Sequence, residues 1–441
     1  MIDSKEDMTT GSVNSKIIMF AVPVFIGNLF QQLYNTVDSL IVGRFLNTDA
    51  LAAVSSYGNL VFLCIGFFNG VSLGASVVIA RYIGAKDKKN IENSVHTTVA
   101  VGLLFSVIMT VVGVNMMPAV LKWMQTPDSV VPYALSYYRI YFAGSIGFVM
   151  YNTFVGILQA AGDSRHPLYY LVFSSIVNIA LDLLFIVVFH QGVGSAALAT
   201  VIAQILSAIL AMIRLMRVKE DYRLKLTKIG FRGNVVGQIL IMGLPSGLQN
   251  SIIAISNVVI QSYINMFGDA AMAGIGSYLK IEGFAFLPVT SFSLALTTFV
   301  GQNEGAKQRE RTKQGIKFGV ISCIVIAEII GLLILAFANP LMAAFDPHPD
   351  VIKYGVWRAW VCTPFYFLVS FSHVMAAVLR GLGHPLAPML IMLICWCAVR
   401  IAFLAIMSQI YPSIWLTYII YPITWTLSTT AMLIYYKKLR I

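Results

Sequence analysis

Long apolar runs alternate with short polar segments from one end of this 441-residue chain to the other. Runs long enough to cross a bilayer as helices, about 20 residues each, can be laid at 17–43, 51–78, 93–115, 133–158, 168–189, 193–216, 235–264, 271–300, 315–337, 353–380, 385–409 and 413–436. The pattern predicts an all-α polytopic membrane protein with twelve transmembrane helices, six in each half. The polar segment Arg217–Arg232 (RVKEDYRLKLTKIGFR) separates the halves. The expected division is 1–216 as an N-terminal six-helix lobe, 217–232 as a basic linker, and 233–441 as a C-terminal six-helix lobe.

The polar punctuation repeats. Gly84-Ala85-Lys86 returns as Gly305-Ala306-Lys307, displaced by 221 residues, which is half the chain. Pro23 with Asn28 recurs as Pro245 with Asn250, Asp49-Ala50 as Asp269-Ala270, Pro127-Asp128 as Pro349-Asp350, and His166-Pro167-Leu168 as His384-Pro385-Leu386. Two related halves with an even number of spans enter the membrane from the same side, so the predicted relation is a parallel pseudo-twofold repeat about an axis along the membrane normal. Two such bundles would leave a central cleft and could expose it to alternate sides of the membrane.

Composition sharpens this. The chain is 58% hydrophobic and only 11% charged, against about 25% charged for soluble domains. Its net charge of +11 might point to nucleic acid, but the cations are distributed as topology signals. One side of the predicted membrane collects 23 Lys and Arg and the other only Arg44, Lys122 and Lys353, which places both termini in the cytoplasm of a cell (inner) membrane protein. No nucleic-acid partner is expected. The acidic N-terminus and long first span do not fit a cleavable signal peptide. All five cysteines fall in apolar spans, Cys395 and Cys397 too close for a CxxC pair, so neither a disulfide framework nor a zinc site is indicated.

Ionisable groups inside spans need a reason, because each costs at least about 2.5–3.5 kcal/mol on insertion scales. Asp38 has Tyr34 and Asn35 on its own helical face, and Asp182 has Asn178 one turn away. Asp38, Asp182 and Thr200 each lie roughly 8–11 Å in from the outer ends of their spans at the helical rise per residue. If the first, fifth and sixth helices adjoin, the oxygens of these residues form a cluster suited to H⁺ or Na⁺, with a sodium site at Asp38, Asp182 and Asn178. Two neighbouring carboxylates in low dielectric cannot both stay ionised cheaply, so a proton or a cation joins them.

Other candidates are less specific. Glu282 is mid-span in the eighth helix and could meet a cationic substrate, carry a second proton, or pair with Arg400; Lys280 lies nearby on a different face. Glu328 is a weaker candidate in the ninth span. Arg139 and Arg358, near outer helix ends, are expected to snorkel to the interface. Pro23, Pro245 and Pro288 would free carbonyls and permit bending, with Pro23 a candidate hinge because Asp38 shares its helix. Gly66, Gly70 and Gly74 form a GxxxG-spaced series, read either as a sliding interface or as static packing. No catalytic constellation stands out, and an enzyme is not expected.

The chain resembles the multidrug and toxic compound extrusion (MATE) family along nearly its whole length. The resemblance rests on Tyr34-Asn35-x-x-Asp38, Ala50-Leu51-Ala52-Ala53, the paired Gly-Ala-Lys loops, Gln159-Ala160-Ala161-Gly162-Asp163 with its partner Leu379-Arg380-Gly381-Leu382-Gly383, and Asn178-x-x-x-Asp182. It implies a V-shaped monomer that exports cationic, amphipathic drugs in antiport with H⁺ or Na⁺, with no cofactor beyond that coupling ion. The family's N-lobe cation site carries over onto Asp38, Asn178, Asp182 and Thr200, with Asn152 as a further member and Pro23 as the bending point. NorM-type members carry an acidic residue on the tenth span, whereas 353–380 has none; the N-lobe cluster is more similar to the DinF-type arrangement. The alternative is a flippase for a lipid-linked or amphipathic metabolite, which should present a strongly cationic central cleft.

Overall fold

The computed structural model describes residues 7–46, 54, 58–123 and 126–439, and the side chains of all of these except 39–40, 58–65 and 123. The Ala50–Ala53 motif, the Asp49-Ala50 turn and the Cys64 side chain lie outside that set. Among the described residues there is no strand. The first half contains α1 (Val13–Phe45), α2 (Gly58–Gly84), α3 (Lys88–Trp123), α4 (Val131–Ala143), α5 (Ser145–Ala160), α6 (Arg165–Asp182) and α7 (Gly194–Arg217). The second contains α8 (Gly233–Asn265), α9 (Asp269–Ala285), α10 (Leu287–Gly305), α11 (Arg309–Ala336), the short α12 (Ala338–Ala343), α13 (Pro349–Cys362), α14 (Tyr366–Gly381), α15 (Leu386–Met392), α16 (Val399–Ile410) and α17 (Trp415–Lys438).

Ten described helical stretches are long and apolar enough to cross a membrane, and α4 with α5, bent by 47°, makes an eleventh. The twelfth expected span coincides with the 24-residue α17. Apolar side chains such as Val107, Ile176, Ile241 and Trp360 are more than half exposed, which suits helices that face lipid.

Several helices break where local chemistry changes. Pro288 stands in the first turn of α10, just past the break at Phe286, where its missing N–H is not needed. The fifth and eleventh spans each contain a π-helical turn, Leu183–Val188 directly after Asp182 and Leu393–Ala398 two residues before Arg400. Such turns displace the ladder by one residue and often mark functional positions.

The repeat is visible in backbone detail. Lys86 and Lys307 both adopt left-handed φ, at 55° and 57°, and Gly162 and Gly383 do so at 95° and 85°. The amide following each lysine reaches back five residues, Asp87 to Tyr82 at 3.1 Å and Gln308 to Asn303 at 2.9 Å. These are helix C-terminal caps in which lysine fills the position that glycine usually takes.

The chain folds into two compact units, one built on Ile26–Gly243 and the other on Met8–Phe25 with Leu244–Ile441. The division falls inside α1, two residues past Pro23, and inside α8, directly before Leu244 and Pro245. In the first unit, Gly74 of α2 meets Gly243 of α8 so closely that a Cβ on Gly74 would lie 2.3 Å from the Gly243 nitrogen. In this structure the last glycine of the GxxxG series is a backbone-to-backbone packing point. In the second unit Met8 is buried, its amide donating to Gln302 Oε1 at 3.1 Å.

The segment after α7 is polar in sequence, yet it is packed onto the first unit. Val218, Tyr222 and Leu224 are buried. Lys225 N–H donates to His96 Nε2 at 3.0 Å, Thr97 Oγ1 donates to the Gly230 carbonyl at 3.3 Å, and Glu92 accepts from Lys225 and Lys228 at 3.3 and 2.6 Å.

Candidate functional site

The first unit brings α1, α6 and α7 together around an oxygen cluster. Asp182, the last residue of α6, is fully buried, and Asn178 one turn earlier is 2% exposed. Asn178 Nδ2 donates to Thr200 Oγ1 at 3.3 Å, and Thr200 in turn donates to the Ala196 carbonyl at 3.1 Å. Asp38 of α1 lies within hydrogen-bonding reach of Asp182, carboxyl to carboxyl.

Asn178 and Thr200 donate elsewhere, and a surplus of acceptors remains. Both oxygens of Asp182, Oδ1 of Asp38 and Oδ1 of Asn178 are buried and accept from no donor. Buried polar atoms are rarely left this way, and two facing carboxyls make the position untenable for a pair of bare anions. A proton between the carboxyls, or a hard cation with oxygen ligands, resolves it. The chemistry of the donor set fits either. No group of three or more His, Cys, Asp or Glu placed to hold a metal occurs among the described residues.

Tyr34, one turn before Asp38, extends the cluster. Its hydroxyl lies among Gln31, Gln204 and the two aspartates. Tyr137 of α4 also lies near the two aspartates. Gln204 and Tyr137 were missed from sequence; Gln204 could have been found four residues after Thr200 on the same face of an apolar helix. Asn35 is an exposed position of α1. Asn152 donates to its own helix at the Phe148 carbonyl, 2.9 Å away, and its carbonyl accepts from Ser72 at 3.3 Å; no bond links it to the aspartates.

The second unit holds a different arrangement. Glu282 Oε1 accepts from the hydroxyls of Tyr278 and Tyr366, each at 3.3 Å, and those hydroxyls are 2.8 Å apart. Arg358 and Arg400 are the cations whose charge reaches Glu282. Arg400 is buried, donates from Nε to Thr424 Oγ1 at 3.0 Å, and stands over the Trp396 and Tyr421 rings. Arg358 does not snorkel. It is 1% exposed, because α13 turns it inward over the rings of Tyr278 and Tyr421. Arg139 is exposed. Lys280 faces away from Glu282, its ammonium 5.6 Å from the Phe345 ring centre. Glu328 accepts the Phe367 amide at 3.1 Å in the first turn of α14.

The family model described as MatE matches residues 23–184 and again 245–406. A probable multidrug resistance protein, YoeA of Bacillus subtilis (strain 168), is 28% identical over 86% of this chain and 84% of its own length. An FAD transporter of Shewanella oneidensis is 22% identical over 88% of this chain and 86% of its own. Among solved structures, an outward-facing multidrug resistance transporter of the MATE family superimposes with a TM-score of 0.90 at 22% identity, over 100% of this chain and 98% of that one. That last likeness speaks to the fold.

Proposed function

Because this chain belongs to the MatE family, matched in both of its repeats, we propose that it is a secondary active efflux transporter that exports cationic, amphipathic compounds in exchange for H⁺ or Na⁺. The observation that carries the coupling is the acceptor surplus at Asp38, Asn178 and Asp182. Loading one proton or one Na⁺ there changes the charge of the first unit and supplies the missing donor or ligand. Release on the other side restores the pair of repelling carboxylates. Pro23 interrupts the hydrogen-bond ladder of the helix that carries Asp38, so α1 is the element on which that change acts. The membrane is a cell membrane with both termini on the cytoplasmic side, in keeping with the Lys and Arg distribution.

The driving force suffices. An H⁺ or Na⁺ entering down a tenfold concentration difference supplies about 1.4 kcal/mol, enough to sustain about a tenfold gradient of a singly charged compound exchanged for it.

The alternative, a flippase for an amphipathic metabolite, is favoured by one observation: Arg358 adds a buried cation beside Arg400.

The test is efflux of an ethidium-like cation from proteoliposomes under a pure pH gradient and, separately, a pure Na⁺ gradient. One of the two should drive wild-type export, and Asp38→Asn and Asp182→Asn should each abolish it. Export that proceeds unchanged in both variants would refute the coupling role.

A further inference from the structure

We propose that Arg358 and Arg400 form a binding site for one singly charged anionic group inside the second unit. The proposal rests on the transporter reading only for where such an anion comes from.

The charges do not balance. Arg358, Arg400 and Glu282 act on one another, and with the carboxylate ionised this trio retains one positive charge. Both arginines are almost completely buried, at 1% and 2% exposure. The hydrogen bonds do not balance either. Nε, Nη1 and Nη2 of Arg358 and Nη2 of Arg400 have no acceptor. Glu282 Oε1 is occupied by two tyrosine hydroxyls. Thr424 takes only the Arg400 Nε proton.

The two guanidinium groups converge on one ring, their carbons 4.5 and 4.4 Å from the centre of Tyr421. Contacts with aromatic faces offset only part of the cost of burying a guanidinium. A water molecule would satisfy N–H groups but leave the charge. A single anion answers both, and the guanidinium fork is matched to a carboxylate, which it can hold through two parallel bonds. A halide satisfies the charge with less directional bonding. The site is therefore selective for a compact monovalent anion, either free in solution or carried as a carboxylate on the exported compound.

The experiment uses the full-length protein in nanodiscs, titrated with sodium bromide and sodium acetate at constant Na⁺ against a bulky sulfonate. The readout is fluorescence of the tryptophans, including Trp396 beside Arg400. Wild type should give a saturable change, with the apparent dissociation constant raised at least tenfold in Arg358→Gln and by less in Arg358→Lys, which keeps the charge but not the fork. Absence of a saturable anion response in wild type overturns the proposal, whether or not the variants fold. So does an unchanged constant in a folded Arg358→Gln protein.

Proteoliposome efflux of a carboxylate-bearing amphipathic amine and of its methyl ester separates the two sources. Selective loss of the carboxylate form in Arg358→Gln assigns the anion to the substrate. Equal transport of both forms, with the bromide and acetate response lost, assigns it to a free anion. If wild type transports neither compound but binds bromide or acetate, the export reading fails while the anion site stands.

Discussion

Asn178 donates its amide to Thr200 Oγ1 at 3.3 Å, and its own carbonyl oxygen, buried one helical turn from Asp182, is left without a donor. The bond ties α6 to α7 and holds the amide in the orientation that adds an acceptor to the carboxyl pair. Thr200→Val keeps the shape and removes the acceptor, so a buried N–H goes unpaired at a cost of about 1–3 kcal/mol. A lowered thermal midpoint of the purified protein, together with weaker H⁺ or Na⁺ coupling in the efflux assay, is the expected result; Thr200→Ser should restore both.

Gly74→Ala and Gly243→Ala should each destabilise the first unit. The new methyl meets backbone in both cases: Gly243 nitrogen at 2.3 Å, and the Val71 Cα at 2.7 Å. Backbone cannot step aside as a flexible side chain can, and overpacking of this kind costs about 1–3 kcal/mol. Gly237→Ala, on the same helix with nothing within 4 Å of its added carbon, is the control and should be tolerated in the same melting measurement.

Asp87, just before α3, accepts from the Asn90 amide at 3.1 Å and the Asn90 side chain at 2.8 Å, and these bonds hold its carboxyl below the usual range. The folded value lies below the unfolded one, so the contribution is complete above about pH 4, the ordinary carboxylate value, and is lost as pH falls through the lower folded value. Amide exchange at residues 88–91 should accelerate on acidification across that window, after correction for intrinsic rates. In Asp87→Ala it should be faster at neutral pH and show no further acid-induced step.

His96 joins α3 to the segment between the repeats, accepting the Lys225 N–H at Nε2 while Nδ1 lies 2.6 Å from the Glu92 carbonyl. Replacing it with leucine removes a bond worth about 0.5–1.5 kcal/mol. Trypsin should cut at the basic residues of 217–232 faster in His96→Leu than in wild type; equal rates would mean that the Thr97 and Glu92 bonds and the burial of Tyr222 and Leu224 hold the segment without His96.

The repeat was legible because it is written in local signals. Gly-Ala-Lys recurs at a fixed spacing, and the same left-handed turn forms at Lys86 and Lys307, since a turn is decided by the few residues within it. Asp38, Asn178, Asp182 and Thr200 could be grouped for a related reason. An ionisable or polar side chain in an apolar helix stands out, and residues at like depth in neighbouring helices can meet.

Arg358 shows the limit. Its position near a helix end predicted a side chain reaching toward the headgroups, but helix rotation decides whether such a residue meets lipid or protein, and α13 presents it to Tyr278 and Tyr421. The 217–232 segment is similar: in sequence it reads as a basic linker, while Val218, Tyr222 and Leu224 find a surface of the first unit that only the folded chain supplies. The sequence by itself determined the apolar helices, their repeat and the acidic residues that need a cation. Tertiary structure decided which of their faces meet, and so left buried carboxyl oxygens without donors in one unit and buried guanidinium nitrogens without acceptors in the other. Burial and hydrogen-bond satisfaction depend on neighbours distant in the chain, and no local pattern encodes them.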